Sequence, residues 1–230
     1  KEITKLAKQK GSLVLIDACQ SLAHQKLDVI DLNIDFLAGS GHKLCGPTGI
    51  GFLWSRKEIL EKIPPLFGGG EMIQDVFEET STWAELPHKF EAGTPAIAEA
   101  IGLAEAINYI NNIGLNEIHE YEKTITKYLF EKLNQIENIE IIGPSPEIDP
   151  DRASLATFYI KNIHSNDIAE ILDSKGICIR SGHHCCQPLH RYIGIKSTAR
   201  ISMNFTTNKE EIDMFIEKLK DTIDFLKINS

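Results

Sequence analysis

Along the first fifty residues the apolar positions come in short runs that end on polar side chains. Leu13, Val14, Leu15 and Ile16 break off at Asp17, and Asp35, Phe36, Leu37 and Ala38 give way to Gly39, Ser40, Gly41, His42 and Lys43. Near-continuous apolar runs of this length predict buried strands, and such strands belong in a sheet with helices on both faces, where ligands gather at the carboxyl ends. Asp17 and Lys43 are therefore expected near one crevice. A third strand is predicted at Ile50–Trp54, after the turn residues Gly46-Pro47-Thr48-Gly49, followed by a short helix Lys57–Lys62 that Pro64 and Pro65 stop.

From Phe67 to Thr94 the periodicity fades, and Gly68, Gly69, Gly70, Trp83 and Pro87 predict a long loop, more often functional than filler. After Pro95 the period becomes helical, with Ile97, Ala100, Ile101, Ala104, Ile107 and Ile110 on one face to about Asn112. A second amphipathic helix is predicted from about Leu115 to Ile136. The remainder alternates: strand Ile139–Ile142, strand Ser154–Ile160, helix Asn166–Ser174 capped by Ser165 or Asn166, strand Ile177–Arg180, strand Ala199–Asn204 and helix Lys209–Lys227. The expected organisation is an α/β unit over residues 1–113 and a small α+β domain over 114–230.

Composition adds limits. With 42% hydrophobic and 25% charged residues the 230-residue chain is of ordinary globular make-up, and its net charge of −9 disfavours nucleic acid or an anionic membrane surface as partner. No apolar run approaches the roughly 18 to 20 residues of a membrane span, and Lys1–Lys10 lacks the apolar centre of a signal peptide, so a cytoplasmic protein is expected. The first residue is Lys1, and the chain is expected to begin inside a domain. Five cysteines, an odd number, favour reduced thiols over a disulfide framework.

Three stretches carry candidate chemistry: Asp17-Ala18-Cys19-Gln20, Ser40-Gly41-His42-Lys43, and Arg180-Ser181-Gly182-His183-His184-Cys185-Cys186. Alone, Asp17 reads as a turn residue and Lys43 as a solvated lysine. Together, a lysine after a small hydroxyl-bearing loop and a carboxylate on the neighbouring strand fit pyridoxal phosphate, which needs a Schiff-base lysine and an acid beside its pyridine nitrogen. Ser40 and His42 stand within reach of the phosphate. The nucleotide-binding Gly-x-x-x-x-Gly-Lys-Ser/Thr pattern does not occur. His183, His184, Cys185 and Cys186 invite a zinc reading, but adjacent side chains point apart and no second ligand pair completes a tetrahedron, so no metal is expected. A thiol beside imidazoles and Arg180 is better suited to nucleophilic work, and local sequence does not choose between Cys185 and Cys186. Arg200, in an otherwise apolar strand, requires an anion: an internal carboxylate or a substrate carboxylate.

These motifs, with Phe90-Glu91-Ala92-Gly93-Thr94-Pro95, resemble the class V aminotransferase superfamily, and within it the group II, SUF-type cysteine desulfurases, which are similar to selenocysteine lyases. The resemblance covers almost the whole chain and implies fold type I of the pyridoxal phosphate-dependent transferases: part of the large-domain mixed sheet plus the small C-terminal domain. It implies that Lys43 holds pyridoxal 5'-phosphate, that Asp17 pairs with the pyridinium, that Gln20 meets the phenolic oxygen, and that Ser40, His42 and Thr94 bind phosphate, Thr94 that of the other subunit of a homodimer. Cys185 would be the nucleophile, with Arg200 on the substrate carboxylate and Arg180 nearby. The implied reaction turns L-cysteine into L-alanine and a Cys185 persulfide, feeding a sulfur-acceptor protein of the SUF system and iron–sulfur cluster assembly. The rival expectations are a selenocysteine lyase, a cysteine lyase releasing pyruvate, and a non-catalytic sulfur-relay or metal-binding module. Two departures stand out. Cys186 occupies a position where many relatives have no thiol, and the ring-stacking histidine and phosphate-loop threonine that precede the lysine motif in the family are absent. Weak cofactor binding is therefore expected of these 230 residues alone.

Overall fold

The computed structural model describes residues 1–228, which form two compact units, Lys1–Asn116 and a second that begins at Glu117. The first unit opens with helix α1 (Glu2–Gln9) and a three-stranded sheet of β1 (Leu15–Asp17), β2 (Phe36–Ser40) and β3 (Gly51–Ser55). β1 runs parallel to β2 and β3 antiparallel to it, so the sheet is mixed. Side chains alternate across a strand, so Val14, Ile16, Leu37 and Trp54 share one face, where they pack with Ala18 and Ile34.

The other face differs from the expectation of strands buried on both sides. Leu13, Leu15 and Leu53 are exposed there, because within this unit only the Ile16 face meets a packed layer. Behind β2, Asp35 is buried and takes the ammonium of Lys8, the backbone N–H of Val14 at 2.7 Å and the Arg56 guanidinium, with Nε at 3.6 Å. This one carboxylate ties α1, the approach to β1 and the exit of β3.

A four-residue helix α2 (Lys57–Leu60) follows; the carbonyls of Leu60 and Glu61 at its end accept from the buried Lys89 ammonium at 3.0 and 3.1 Å. Within the stretch where fading periodicity predicts a long loop, β4 (Ile73–Val76) and β5 (Ser81–Trp83) form an antiparallel hairpin. These strands are too short and too polar for alternation to mark them. Helix α3 (Ile97–Ile113) stands where predicted but buries a different face. Leu103, Ala106 and Ile110 are buried, while Ile97, Ile101 and Ile107 are exposed. α3 packs on the lysine-bearing turn after β2, and Gly102 makes room for Pro47 just beyond it, whose Cγ would lie 2.9 Å from a Cβ there.

The second unit holds α4 (Leu115–Leu133), an antiparallel sheet and α5 (Ser165–Ser174), α6 (Gln187–Ile193) and α7 (Lys209–Ile228). The sheet comprises β6 (Ile139–Ile142), β7 (Leu155–Ile160), β8 (Arg180–Gly182) and β9 (Thr198–Ser202), in the order β6-β7-β9-β8. On β7 the inward residues alternate as Ala156, Phe158 and Ile160, and they meet Leu129 of α4, Leu172 of α5 and Phe215 of α7 in one core.

Three local readings are corrected. The N-cap of α5 is His164, whose Nδ1 accepts from the Asn166 backbone at 3.2 Å, not Ser165 or Asn166. β8 begins at Arg180, because the chain leaves α5 through Gly176 (φ 79°) and first packs Ile177 and Ile179 on the core. α6 was not predicted from hydropathy, although Pro188 in its first turn and left-handed Gly194 (φ 73°) after its end are the expected boundary residues.

Candidate active site

In the first unit the register brings the polar strand tips together. Asp17 is opposite Ala38, so Ser40 lies two residues further along β2 on the same exposed face. The chain then turns at once into a single 3-10 turn, Gly41–Leu44, that carries His42 and Lys43. Gly41 permits this: a Cβ there would lie 2.7 Å from Ile50 Cγ2 and 2.9 Å from the Ile50 carbonyl. Ser40 Oγ is 3.0 Å from His42 Nδ1.

The Asp17 carboxyl is held below its usual range, first by the Cys19 thiol, then by the Cys19 backbone N–H at 3.0 Å, and in smaller part by the Lys43 ammonium. The same contact raises the Cys19 thiol, which keeps its proton. Asp17 is thus an ionised acceptor within the field of Lys43. Gln20 follows this turn and is exposed. Thr94 is also exposed, beside Gly93, whose N–H donates to the Gly70 carbonyl at 2.9 Å and so fastens the Gly93-Thr94 turn to the glycine triplet. An ionised carboxylate, a lysine and a hydroxyl–imidazole pair at the ends of adjacent strands form a donor set that suits an anionic, nitrogen-containing carbonyl cofactor.

In the second unit Arg180 of β8 stands directly opposite Arg200 of β9. Directly opposed residues share a face, and like charges so placed repel unless an anion lies between them. Arg200 Nε is buried with no hydrogen-bond partner among the described residues. Arg180 Nη2 reaches 3.7 Å from the Sγ of Cys185, which is exposed on the loop between β8 and α6. That loop is bent sharply: Gly182, His184 and Cys185 have φ of 110°, 50° and 62°. The His184 imidazole is held below its ordinary pKa by burial first and then by Arg200, so it stays neutral beside the two guanidiniums. An exposed thiol and two guanidiniums thus occupy one edge of the small sheet.

Residues 1–215 match the aminotransferase class-V family. The chain belongs to that family. It is 53% identical over 224 residues to a probable cysteine desulfurase of Synechocystis, covering 97% of this chain and 53% of that protein. The structure superposes on the apo cysteine desulfurase of Thermococcus onnurineus NA1 with a TM-score of 0.90 at 38% identity, covering 97% of this chain and 55% of that one. On the Escherichia coli cysteine desulfurase CsdA, in its S-sulfonic acid form, the TM-score is 0.88 at 32% identity, covering 96% and 54%. The chain spans about half the length of the curated relatives it matches.

For this class V member the structure also separates the two adjacent thiols that the sequence left open. Cys185 is exposed, whereas the Cys186 thiol turns inward and donates to the His183 carbonyl at 2.9 Å. Among the described residues no three His, Cys, Asp or Glu side chains stand together as metal ligands. Sequence reading missed His190 and Thr198, both buried below the loop. Two signals were available: the four-residue spacing from Cys186 to His190, and the absence of any acidic residue between Asp173 and Glu210.

Proposed function

We propose that this chain is the lysine- and cysteine-bearing part of a pyridoxal phosphate-dependent cysteine desulfurase. The observation that carries the reading is the exposed Cys185 thiol beside Arg180, with Arg200 and its unpartnered buried Nε directly across the strand pair. Bound to Lys43, pyridoxal phosphate supplies an electron sink that labilises the Cα–H bond of an amino acid and weakens the bond to its sulfur. Asp17, ionised, supports a protonated pyridine nitrogen, and Gln20 meets the phenolic oxygen. Ser40, His42 and Thr94 donate to phosphate, Thr94 across a homodimer. Lys43, once released, carries the proton of Cα. Arg200 grips the carboxylate of L-cysteine with Arg180 beside it. Cys185 attacks the substrate sulfur; the Cβ–S bond breaks, an S–S bond forms, and the products are L-alanine and a Cys185 persulfide.

We assign the enzyme to the cytoplasm, as a homodimer delivering sulfur to an acceptor protein of the SUF system for iron–sulfur cluster assembly. The five free cysteines fit a reducing compartment. Product analysis tests the reading: the holoenzyme with L-cysteine and a reductant gives alanine equal to sulfide, and without reductant a protein one sulfur heavier at Cys185. Pyruvate in place of alanine means β-elimination and removes Cys185 from the chemistry. Activity on selenocysteine alone means a selenium substrate.

A further inference from the structure

The Cys185 loop closes over a buried imidazole that none of the roles above uses. His190 of α6 is 4% exposed and Thr198 of β9 is 1% exposed. His190 Nδ1 lies 3.2 Å from the Cys186 carbonyl, and His190 Nε2 lies 3.0 Å from Thr198 Oγ1. A carbonyl only accepts, so Nδ1 carries the proton and donates to it, and Nε2 accepts from the Thr198 hydroxyl. Thr198 Oγ1 is also 3.5 Å from the Gly182 carbonyl. Gly182 and Cys186 bracket the three residues His183, His184 and Cys185: the Cys186 end is held by the His190 imidazole, which the Thr198 hydroxyl orients with its one proton, and the Gly182 end is held by the pairing of Gly182 with Thr198 across β8 and β9.

The rest of the loop leans on the same ring. The His183 imidazole packs edge-on against it, with centroids 5.4 Å apart, and Gln187 Nε2 holds His183 Nδ1 at 3.4 Å. The Cys186 thiol gives its proton to the His183 carbonyl. Such support is needed, because His184 and Cys185 are consecutive non-glycine residues with left-handed φ, where the Cβ crowds the following carbonyl oxygen. Strain of that kind persists only where the surroundings over-determine it. What the strain achieves is the outward turn of Cys185 toward Arg180.

We infer that His190 and Thr198 are positioning residues that hold the Cys185 thiol beside Arg180 in its attacking geometry, and that Cys186 belongs to this clamp instead of carrying sulfur. The inference rests on the proposed desulfurase reading for the loop's purpose, but not for its geometry.

The experiment compares holoenzyme variants Thr198→Val, Thr198→Ser and His190→Asn by two readouts: kcat and KM for L-cysteine, and the alkylation rate of Cys185 by iodoacetamide, with exposed Cys178 as internal reference. Valine keeps the volume of threonine and removes the hydroxyl; asparagine keeps a donor for the Cys186 carbonyl and drops the acceptor for Thr198. Thr198→Val and His190→Asn lower kcat about tenfold to a hundredfold with KM unchanged, as small misplacements of a reacting group do. Cys185 alkylation slows about threefold or more as the thiol leaves Arg180, Cys178 is unaffected, and Thr198→Ser restores both. Loss in Thr198→Ser equal to that in Thr198→Val makes the site merely structural and overturns the clamp. So do wild-type kcat and alkylation in both Thr198→Val and His190→Asn. If the wild type makes no alanine yet Cys185 alkylation still follows this pattern, the desulfurase reading fails and the clamp stands.

Discussion

Arg200 is the residue whose environment makes the sharpest demand. Its neighbour across the strand pair is Arg180, and its Nε is buried without a partner among the described residues. A hydrogen bond to a charged group contributes about 1.5–3 kcal/mol, so Arg200→Lys, which loses the planar fork, lowers kcat/KM for L-cysteine by about tenfold to a hundredfold. The loss falls mainly on KM, in contrast to the clamp variants. Steady-state kinetics checks this, and an unchanged KM would assign the guanidinium to an internal role. His184 gives a second residue-scale outcome. Its folded pKa lies below the ordinary 6.5, through burial first and Arg200 next. The unfolded chain therefore binds this proton more readily, and stability is full above pH 6.5 and falls as the pH drops below it. His184→Gln flattens that part of the profile in thermal melts at pH 7.5, 6.5 and 5.5.

At the scale of elements, legibility followed the length and regularity of the pattern. α4, β7 and α7 were readable because each carries a sustained period that ends in the packed core of the second unit. The β4–β5 hairpin has no such period, and α6 is only seven residues long and bounded by chemistry, not hydropathy. The buried face of α3 departs from the isoleucine stripe because hydrophobicity ranks isoleucine above glycine and alanine, while the packed face carries Leu103 and Ala106 and needs Gly102 to clear Pro47. The site motifs were legible since they fall at strand ends, but their buried support, His190 and Thr198, carries no motif. Asp35 shows how much one polar residue joins. Burial pushes its carboxyl up, and Lys8, the Val14 N–H and Arg56 together bring it below its usual range. Its contribution is therefore present above pH 3.8 and disappears as pH falls through the lowered folded value. Asp35→Ala takes the acceptor from the Lys8 ammonium and the Val14 N–H at the junction of α1, β1 and β3, while Arg56 keeps the Ile34 carbonyl at 3.0 Å and Asn33 Oδ1 at 2.9 Å. Losing a charged acceptor and leaving the Val14 N–H unsatisfied costs about 1–3 kcal/mol, and the loss is read by urea unfolding of the variant, with a loss below 1 kcal/mol (about the surface-pair value) sinking the assignment.

For the molecule as a whole, the two units are unequally furnished. The second has a continuous core that includes Phe158, Phe215 and Leu172. The sheet cluster of the first buries only Ala18, Ile34 and Leu37 fully, and it leaves Leu13, Leu15 and Leu53 exposed on the face that carries Asp17 and Ser40. Hydrophobic burial is the main source of local protection, so opening should be cheaper in the first unit. In hydrogen exchange of the 230-residue chain, amides of β7 and β9 are the last to exchange and those of β1 exchange earlier. The same imbalance bears on the cofactor. Ligands that bind only the ordered form lose affinity in proportion to the population of that form. Asp17 stands on the open face of β1, beside the exposed Leu15 and Leu53. The 230-residue chain consequently binds pyridoxal phosphate more weakly than a polypeptide of the relatives' length, and added cofactor slows exchange in β1 and β2 but not in β7. Absorbance titration and exchange on the same sample check both statements. Tight binding with β1 already protected would mean that the sheet supports the lysine turn without a covered outer face.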